Sequence, residues 1–237
     1  MSKISGAIFD CDGTLLDSMS MWFDMFSELF RSYGQQPTSE VIAKVEAMTI
    51  PATCEYLHSE LGMGGSADEI YRHVERIVTY SYEHKVAEMP GAREMLESLR
   101  AAGVPMVVAS SSPSPFVRKA LACHGMLDFF SDVLCTADVR DGRDKDFPDV
   151  YLEALDRLGT PLPETWVFED APFAVRSARR VGLHVVGIFN DHDGRDEEFI
   201  RSWADIFTNN YDDVSLDAIL AFDDASRRQS PEEAYAL

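Results

Sequence analysis

Ile4-Ser5-Gly6-Ala7-Ile8-Phe9-Asp10-Cys11-Asp12-Gly13-Thr14-Leu15-Leu16-Asp17 is the stretch that decides the fold. An apolar run ends at a carboxylate, a second carboxylate follows two residues later, and Gly13 lets the chain turn. Two acids at the mouth of a buried strand are costly unless something cationic holds them. Hard oxygen donors suit Mg²⁺, which takes one or two carboxylates and completes its shell with water and substrate phosphate. The stretch therefore predicts phosphate chemistry at a strand end.

Downstream of it, residues 18 to about 88 read as helices with no convincing strand. Trp22, Phe23, Phe26, Leu29 and Phe30 fall at helical spacing and predict a core-facing stripe. Gly34 and Pro37 end that helix, and Thr38 or Ser39 is placed to cap the next. Thr49-Ile50-Pro51 starts a further helix, and Ser66-Ala67-Asp68-Glu69 reads as a capping box before a long one with Ile70, Val74, Ile77 and Val78 inward. From Met89 the rhythm changes to helix, strand, helix, strand. The strands are read at 104–109, 133–136, 166–168, 184–189 and 204–208. Fully apolar strands alternating with helices predict a parallel sheet covered on both faces. The chain thus reads as an α/β protein, a Rossmann-like parallel sheet core at 1–17 and 90–225. An α-helical domain is inserted at 18–89, and a loose tail follows at 226–237.

Composition narrows the partners. With 21 basic and 41 acidic residues the formal charge is −20, which repels nucleic acid and anionic membranes. No apolar run approaches a membrane span. Cys11, Cys54, Cys123 and Cys135 are scattered, without the spacing of a zinc site or disulfide framework, which fits a reducing cytoplasm. Cys11 reads as a small space-filler, and the six histidines show no metal-ligand spacing.

In an open parallel sheet, ligands bind beyond the carboxyl ends of the strands. Residues leaving those ends form a short set: Asp10 and Asp12, then Ser110, then Glu169 and Asp170, with Lys145 ahead of the helix at Pro148. Asp10 is suited to attack phosphorus, splitting one hard displacement into two. Asp12 is suited to protonate the leaving oxygen and then activate water. Mg²⁺ between Asp10 and Asp170 would let a phosphate dianion approach. Ser110-Ser111-Ser112-Pro113 reads as the opening of a helix, so Ser110 and the helix amides behind it would hold phosphate oxygens, and Lys145 would offset the charge on Asp10 and the transferring group.

Asp10-Cys11-Asp12-Gly13-Thr14, Ser110, Lys145 and Glu169-Asp170, in this order, resemble the haloacid dehalogenase superfamily, over Ile4 to about Phe189. The helical insertion is similar to the small cap of its beta-phosphoglucomutase and phosphoglycolate phosphatase group. The resemblance implies Asp10 as nucleophile and metal ligand. It implies Asp12 as general acid/base whose backbone carbonyl also binds Mg²⁺. It further implies Gly13, Thr14, Ser110 and Ser111 at the phosphate, Lys145 as the motif lysine, Asp170 as metal ligand and Glu169 as a direct or water-bridged one. A cap would close over substrate and exclude water. Two positions depart from the pattern. Lys145-Asp146-Phe147-Pro148-Asp149 carries aspartate where the group often has its first proline, and Ala171-Pro172 follows Asp170 where serine or aspartate is common.

The expected function is a cytoplasmic, Mg²⁺-dependent phosphatase for a small phosphorylated metabolite, acting through an aspartyl-phosphate as a monomer or homodimer. The alternative is a sugar phosphomutase, whose insertion must hold a second phosphate. Ala47-Met48-Thr49-Ile50-Pro51, placed near the substrate loop of such an insertion, carries no Arg or Lys. A non-catalytic metabolite-binding protein is the third reading. The four acids argue against it, because buried carboxylates without a function are costly.

Overall fold

The computed structural model describes residues 3–46, 48–139, 142–189, 191 and 196–222. The expected tail at 226–237 and the last residues of the expected core lie outside them. The chain divides into two compact units, residues 1–17 with 87–237, and residues 18–86.

The first unit is built on a six-stranded parallel sheet. Its strands are β1 (Gly6–Phe9), β4 (Met106–Ser110), β5 (Asp132–Cys135), β6 (Thr165–Glu169), β7 (His184–Ile188) and β8 (Ile206–Thr208), in the order β5-β4-β1-β6-β7-β8. β1 is central. Phe9 pairs with Val108 on one side and Phe168 on the other. The order reverses at β1, so a crevice opens beyond its carboxyl end, between β4 and β6.

Both faces are apolar because helices cover both. On one, Ile8, Val107, Val167 and Val185 pack with residues of α7 (Asp149–Leu158), α8 (Pro172–Arg180) and α9 (Glu197–Trp203). On the other, Phe9 stacks on Phe168 at 4.2 Å, with Tyr211 beyond it; α5 (Ala92–Ala101) precedes β4 in the chain. Pro172 starts α8 at its first position, where the missing N–H costs nothing. Two elements of this unit, α9 and α10 (Leu216–Ala221), have no counterpart in the sequence reading. They hold seven and six residues, too few to print a helical period.

A second sheet corrects that reading. β2 (Leu16–Asp17) pairs antiparallel with β3 (Ala87–Glu88), bringing together the residues that lead into and out of the insertion. Two-residue strands carry no alternation, which is why 18–88 looked wholly helical.

The second unit holds α1 (Met19–Ser32), α2 (Ser39–Glu46), α3 (Ile50–Ser59) and α4 (Ala67–His84). Thr49 caps α3 and Ser66 caps α4, each side chain accepting a backbone N–H. Glu69 reaches back to the Gly65 N–H at 3.0 Å rather than to Ser66, so the box closes one residue early. In α4 the predicted Ile70, Val74, Ile77 and Val78 are buried. In α1 the stripe is turned from the expected one. Met21, Met25, Phe26, Leu29 and Phe30 are buried, and Phe23 is 38% exposed. The methionines at 21 and 25 keep the seam with Leu29 every fourth residue. Trp22 and Phe23 instead line an apolar pocket of about 260 Å³ with Met25, Phe26, Met48 and Ile50. Among the described residues the buried Trp22 indole N–H has no hydrogen-bond partner.

Candidate active site

The predicted site residues of the first unit converge at the carboxyl ends of β1, β4 and β6. Asp10 leaves β1 with its amide still in the ladder, donating to Phe168 O at 3.0 Å. Gly13 then turns the chain at φ 87°, a conformation that favours glycine. Its N–H donates to Leu16 O, while Leu15 and Leu16 both donate to Cys11 O. This tight loop places Asp12 and Thr14 beside the strand end.

Lys145 is the hub. It is 2% exposed, and its Nζ donates to Asp10 Oδ1 and to Glu169 Oε1, each at 2.5 Å. Glu169 also accepts from the Tyr151 hydroxyl at 2.8 Å, and its Oε2 accepts from the N–H groups of Asp170 at 2.7 Å and Ala171 at 2.9 Å. Asp170 Oδ1 accepts from Thr14 Oγ1 at 3.3 Å. Asp12 Oδ2 accepts from Ser112 Oγ at 2.7 Å. Ser110 ends β4 and is buried; its Oγ accepts from Ser112 N–H at 3.1 Å, leaving its own proton for an outside acceptor. Ser111 is exposed beside it. The helix expected to open at 110–113 begins later, as α6 (Ser114–Cys123) with Pro113 at its cap. The amides next to Ser110 therefore belong to a turn, not to a helix end.

The acids respond differently to the same ammonium. Burial pushes Asp10 up to about 7, against the pull of Lys145 and with Glu169 and Asp12 adding to the rise. Glu169 suffers the same burial, yet Lys145, the Ala171 N–H and Tyr151 hold it below the ordinary glutamate value. Fixed donors stabilise a carboxylate's charged form, and Glu169 has more of them. Burial pushes the Lys145 ammonium down, but Asp10 and Glu169 outweigh it and raise its pKa. Cys11 is pushed well up by burial and by Asp12 and Asp10, so it is no thiolate nucleophile.

Carboxylate oxygens of Asp10, Glu169 and Asp170 lie within 4.8 Å of one another, all three residues buried. Among the described residues no other group of His, Cys, Asp and Glu gathers in this way. An all-oxygen, anionic donor set fits a hard divalent cation. Asp10 and Asp170 are the better placed to hold it, because Glu169 already accepts four hydrogen bonds and a carboxylate offers about four lone-pair sites.

Where the lysine motif departs from its usual form, Asp146 accepts from Arg176 of α8 at 3.0 Å, and Pro148 still precedes α7. Two residues with evident roles escaped the sequence reading. Ser112 sits in a run of three serines with nothing to single it out. Tyr151 falls on the apolar face of α7 and looks like core.

A family model described as haloacid dehalogenase-like hydrolase matches residues 7–188. Validoxylamine A 7'-phosphate phosphatase of Streptomyces hygroscopicus subsp. limoneus is 31% identical over 188 residues, 79% of this chain and 86% of that protein. Hexitol phosphatase A of Escherichia coli is 30% identical over 188 residues, 78% and 83% of the two. CbbY of Rhodobacter sphaeroides, solved in complex with phosphate, superimposes with a TM-score of 0.73 at 22% identity, covering 91% of this chain and 99% of that one. This last likeness shows the shared fold.

Proposed function

As a member of the haloacid dehalogenase-like hydrolase family, this chain is a phosphoric monoester hydrolase, and we propose that it is of the beta-phosphoglucomutase and phosphoglycolate phosphatase-like kind and cleaves a small phosphorylated metabolite through a phosphoester of Asp10. The observation that carries the reading is Asp10 itself. It is a buried carboxylate at the end of the central strand, bonded to an ammonium and flanked by a second carboxylate on Asp12.

The chemistry divides among the chain's own groups. An Asp10 carboxylate oxygen attacks phosphorus, and the bond from phosphorus to the leaving oxygen breaks. Asp12, oriented by Ser112, gives its proton to that oxygen. In the second half Asp12 takes a proton from water, whose oxygen attacks phosphorus and frees Asp10 and inorganic phosphate. Ser110 Oγ and the amide of Ser111 hold the non-bridging oxygens, with Lys145 compensating their charge; the Gly13 N–H, expected at the phosphate, is instead taken by Leu16 O. Thr14 supports this set through Asp170. Mg²⁺ held by Asp10, Asp170 and the Asp12 carbonyl would supply the positive charge that four carboxylates and one ammonium lack.

A phosphomutase would need basic groups for a second phosphate. The stretch Ala47-Met48-Thr49-Ile50-Pro51 carries no Arg or Lys, and two relatives are named phosphatases, which favours hydrolysis. We assign residues 18–86 the role of a specificity-giving cap.

The test is an activity panel of phosphorylated sugars, polyols, nucleotides and organic acids with Mg²⁺. Phosphate release from at least one ester is the expected result. Isomerised product from glucose 1-phosphate without free phosphate would overturn the phosphatase reading.

A further inference from the structure

We propose that Tyr151 is a positioning residue whose hydroxyl, donated to Glu169, keeps the Lys145 ammonium shared with Asp10. The effect on turnover rests on the hydrolase reading above; the effect on Lys145 does not.

Glu169 is 1% exposed, and both of its oxygens are fully used. Oε2 takes the N–H groups of Asp170 and Ala171. Oε1 takes Lys145 Nζ at 2.5 Å and the Tyr151 hydroxyl at 2.8 Å. Lys145 Nζ is also 2.5 Å from Asp10 Oδ1, so the ammonium lies evenly between two carboxylates. That balance is not automatic. Glu169 is fixed by two amides, whereas among the described residues the Asp10 carboxylate has only the Lys145 ammonium as donor. Left alone, Oε1 would draw the ammonium to itself. The Tyr151 proton occupies Oε1 from the other side and takes up part of its charge, which weakens that pull. The Tyr151 ring adds a second constraint, lying 5.7 Å from Nζ, within range of a cation–π contact.

Chain geometry makes the arrangement local. Lys145 lies just ahead of α7, Pro148 caps that helix, and Tyr151 is in its first turn. The positioning hydroxyl and the ammonium therefore move with one segment. The ring itself is buried in the apolar cluster with Ile8, Val107 and Val167, which holds the hydroxyl on Glu169. The duller alternative is a core tyrosine whose hydroxyl merely finds an acceptor. The two part on Tyr151→Phe, which removes one oxygen and keeps the ring.

The experiment follows the Lys145 ammonium directly. In the full chain labelled with ¹⁵N at lysine Nζ, the Lys145 signal is identified by its loss in Lys145→Arg. Its hydrogen exchange with water is then compared between wild type and Tyr151→Phe. The expected result is exchange at least about 5-fold faster in Tyr151→Phe. For an ester that wild type cleaves, kcat should fall about 10-fold with KM within about 2-fold. Unchanged exchange with unchanged kcat overturns the proposal, even if Tm falls, because a structural hydrogen bond would move Tm alone. If wild type cleaves no ester, the hydrolase reading fails and exchange alone decides: faster exchange sustains the positioning role, and unchanged exchange overturns it. Tyr151→Met removes the same hydroxyl and serves if Tyr151→Phe does not fold.

Discussion

Asp10 and Lys145 carry the strongest predictions at the scale of single residues. Lys145 is the ammonium bonded to both Asp10 and Glu169. Removing one partner of a buried ion pair leaves uncompensated charge and costs about 3–5 kcal/mol, so Lys145→Met should lose both activity and stability by that order in denaturant unfolding. Asp10→Asn separates the two properties. It should abolish turnover while making the metal-free protein more stable at pH 8, by roughly 2–4 °C in Tm. The sign follows from proton linkage. Burial raises the Asp10 pKa from 3.8 to about 7 in the folded state, so between those values the native state binds the extra proton and stability falls as pH rises. Asparagine carries no such charge. The advantage of Asp10→Asn should therefore be full above pH 7 and shrink towards pH 5. A melting series from pH 5 to 8 without metal checks this; an advantage that grows towards acid would contradict it. Asp10, Asp12, Glu169 and Asp170 were legible as residues because each ends an apolar strand, where a carboxylate needs a reason. Ser112 and Tyr151 were not, because a hydroxyl in a serine run and a phenol on an apolar helix face have ordinary explanations.

Elements show where pattern reading ends. The six parallel strands were foreseen, with ends misplaced by a residue or two, since continuous apolar runs do not mark where pairing stops. The Ala204 start of the last strand is an example. Ala204 ends α9, and pairing begins at Ile206. The stripe of α1 was mis-phased because large aromatics at 22 and 23 outweighed two methionines in the reading, while packing chose the methionines. Gly187 illustrates a constraint that no pattern announces. A side-chain Cβ there would lie 2.7 Å from Ile200 Cγ2 and 2.8 Å from Ala204 Cβ, so β7 and α9 approach too closely for anything larger. Gly187→Ala should cost about 1–3 kcal/mol through overpacking, read in urea unfolding. Ser66→Ala should cost about 1 kcal/mol by uncapping α4, since its Oγ accepts the Glu69 N–H at 3.1 Å.

For the molecule as a whole, charge and metal are coupled. A formal charge of −20 sets a field hostile to a phosphate dianion, and the site adds four carboxylates against one ammonium. Among the described residues no helix is long and apolar enough to cross a membrane. A divalent cation that binds only the folded state should stabilise it by about 2.7 kcal/mol at a hundred times its Kd. Mg²⁺ should therefore raise Tm in a concentration-dependent way, chelator should reverse it, and Asp170→Ala should abolish the response. The alternation of strands with helices and the helical block were both written in the sequence as periodicity and spacing, whereas the order of strands in the sheet was not. The β2–β3 pair at the ends of that block was not, because a two-residue ladder is fixed by tertiary context rather than by pattern. The central claim is that phosphorus passes through Asp10. Acid quenching of the full chain during turnover of a ³²P-labelled ester it cleaves, followed by mapping of the label, tests it most directly. Label on Asp10 in wild type and none in Asp10→Asn is the predicted result. Phosphate released at wild-type rate by Asp10→Asn, or turnover with no label on Asp10, would contradict it.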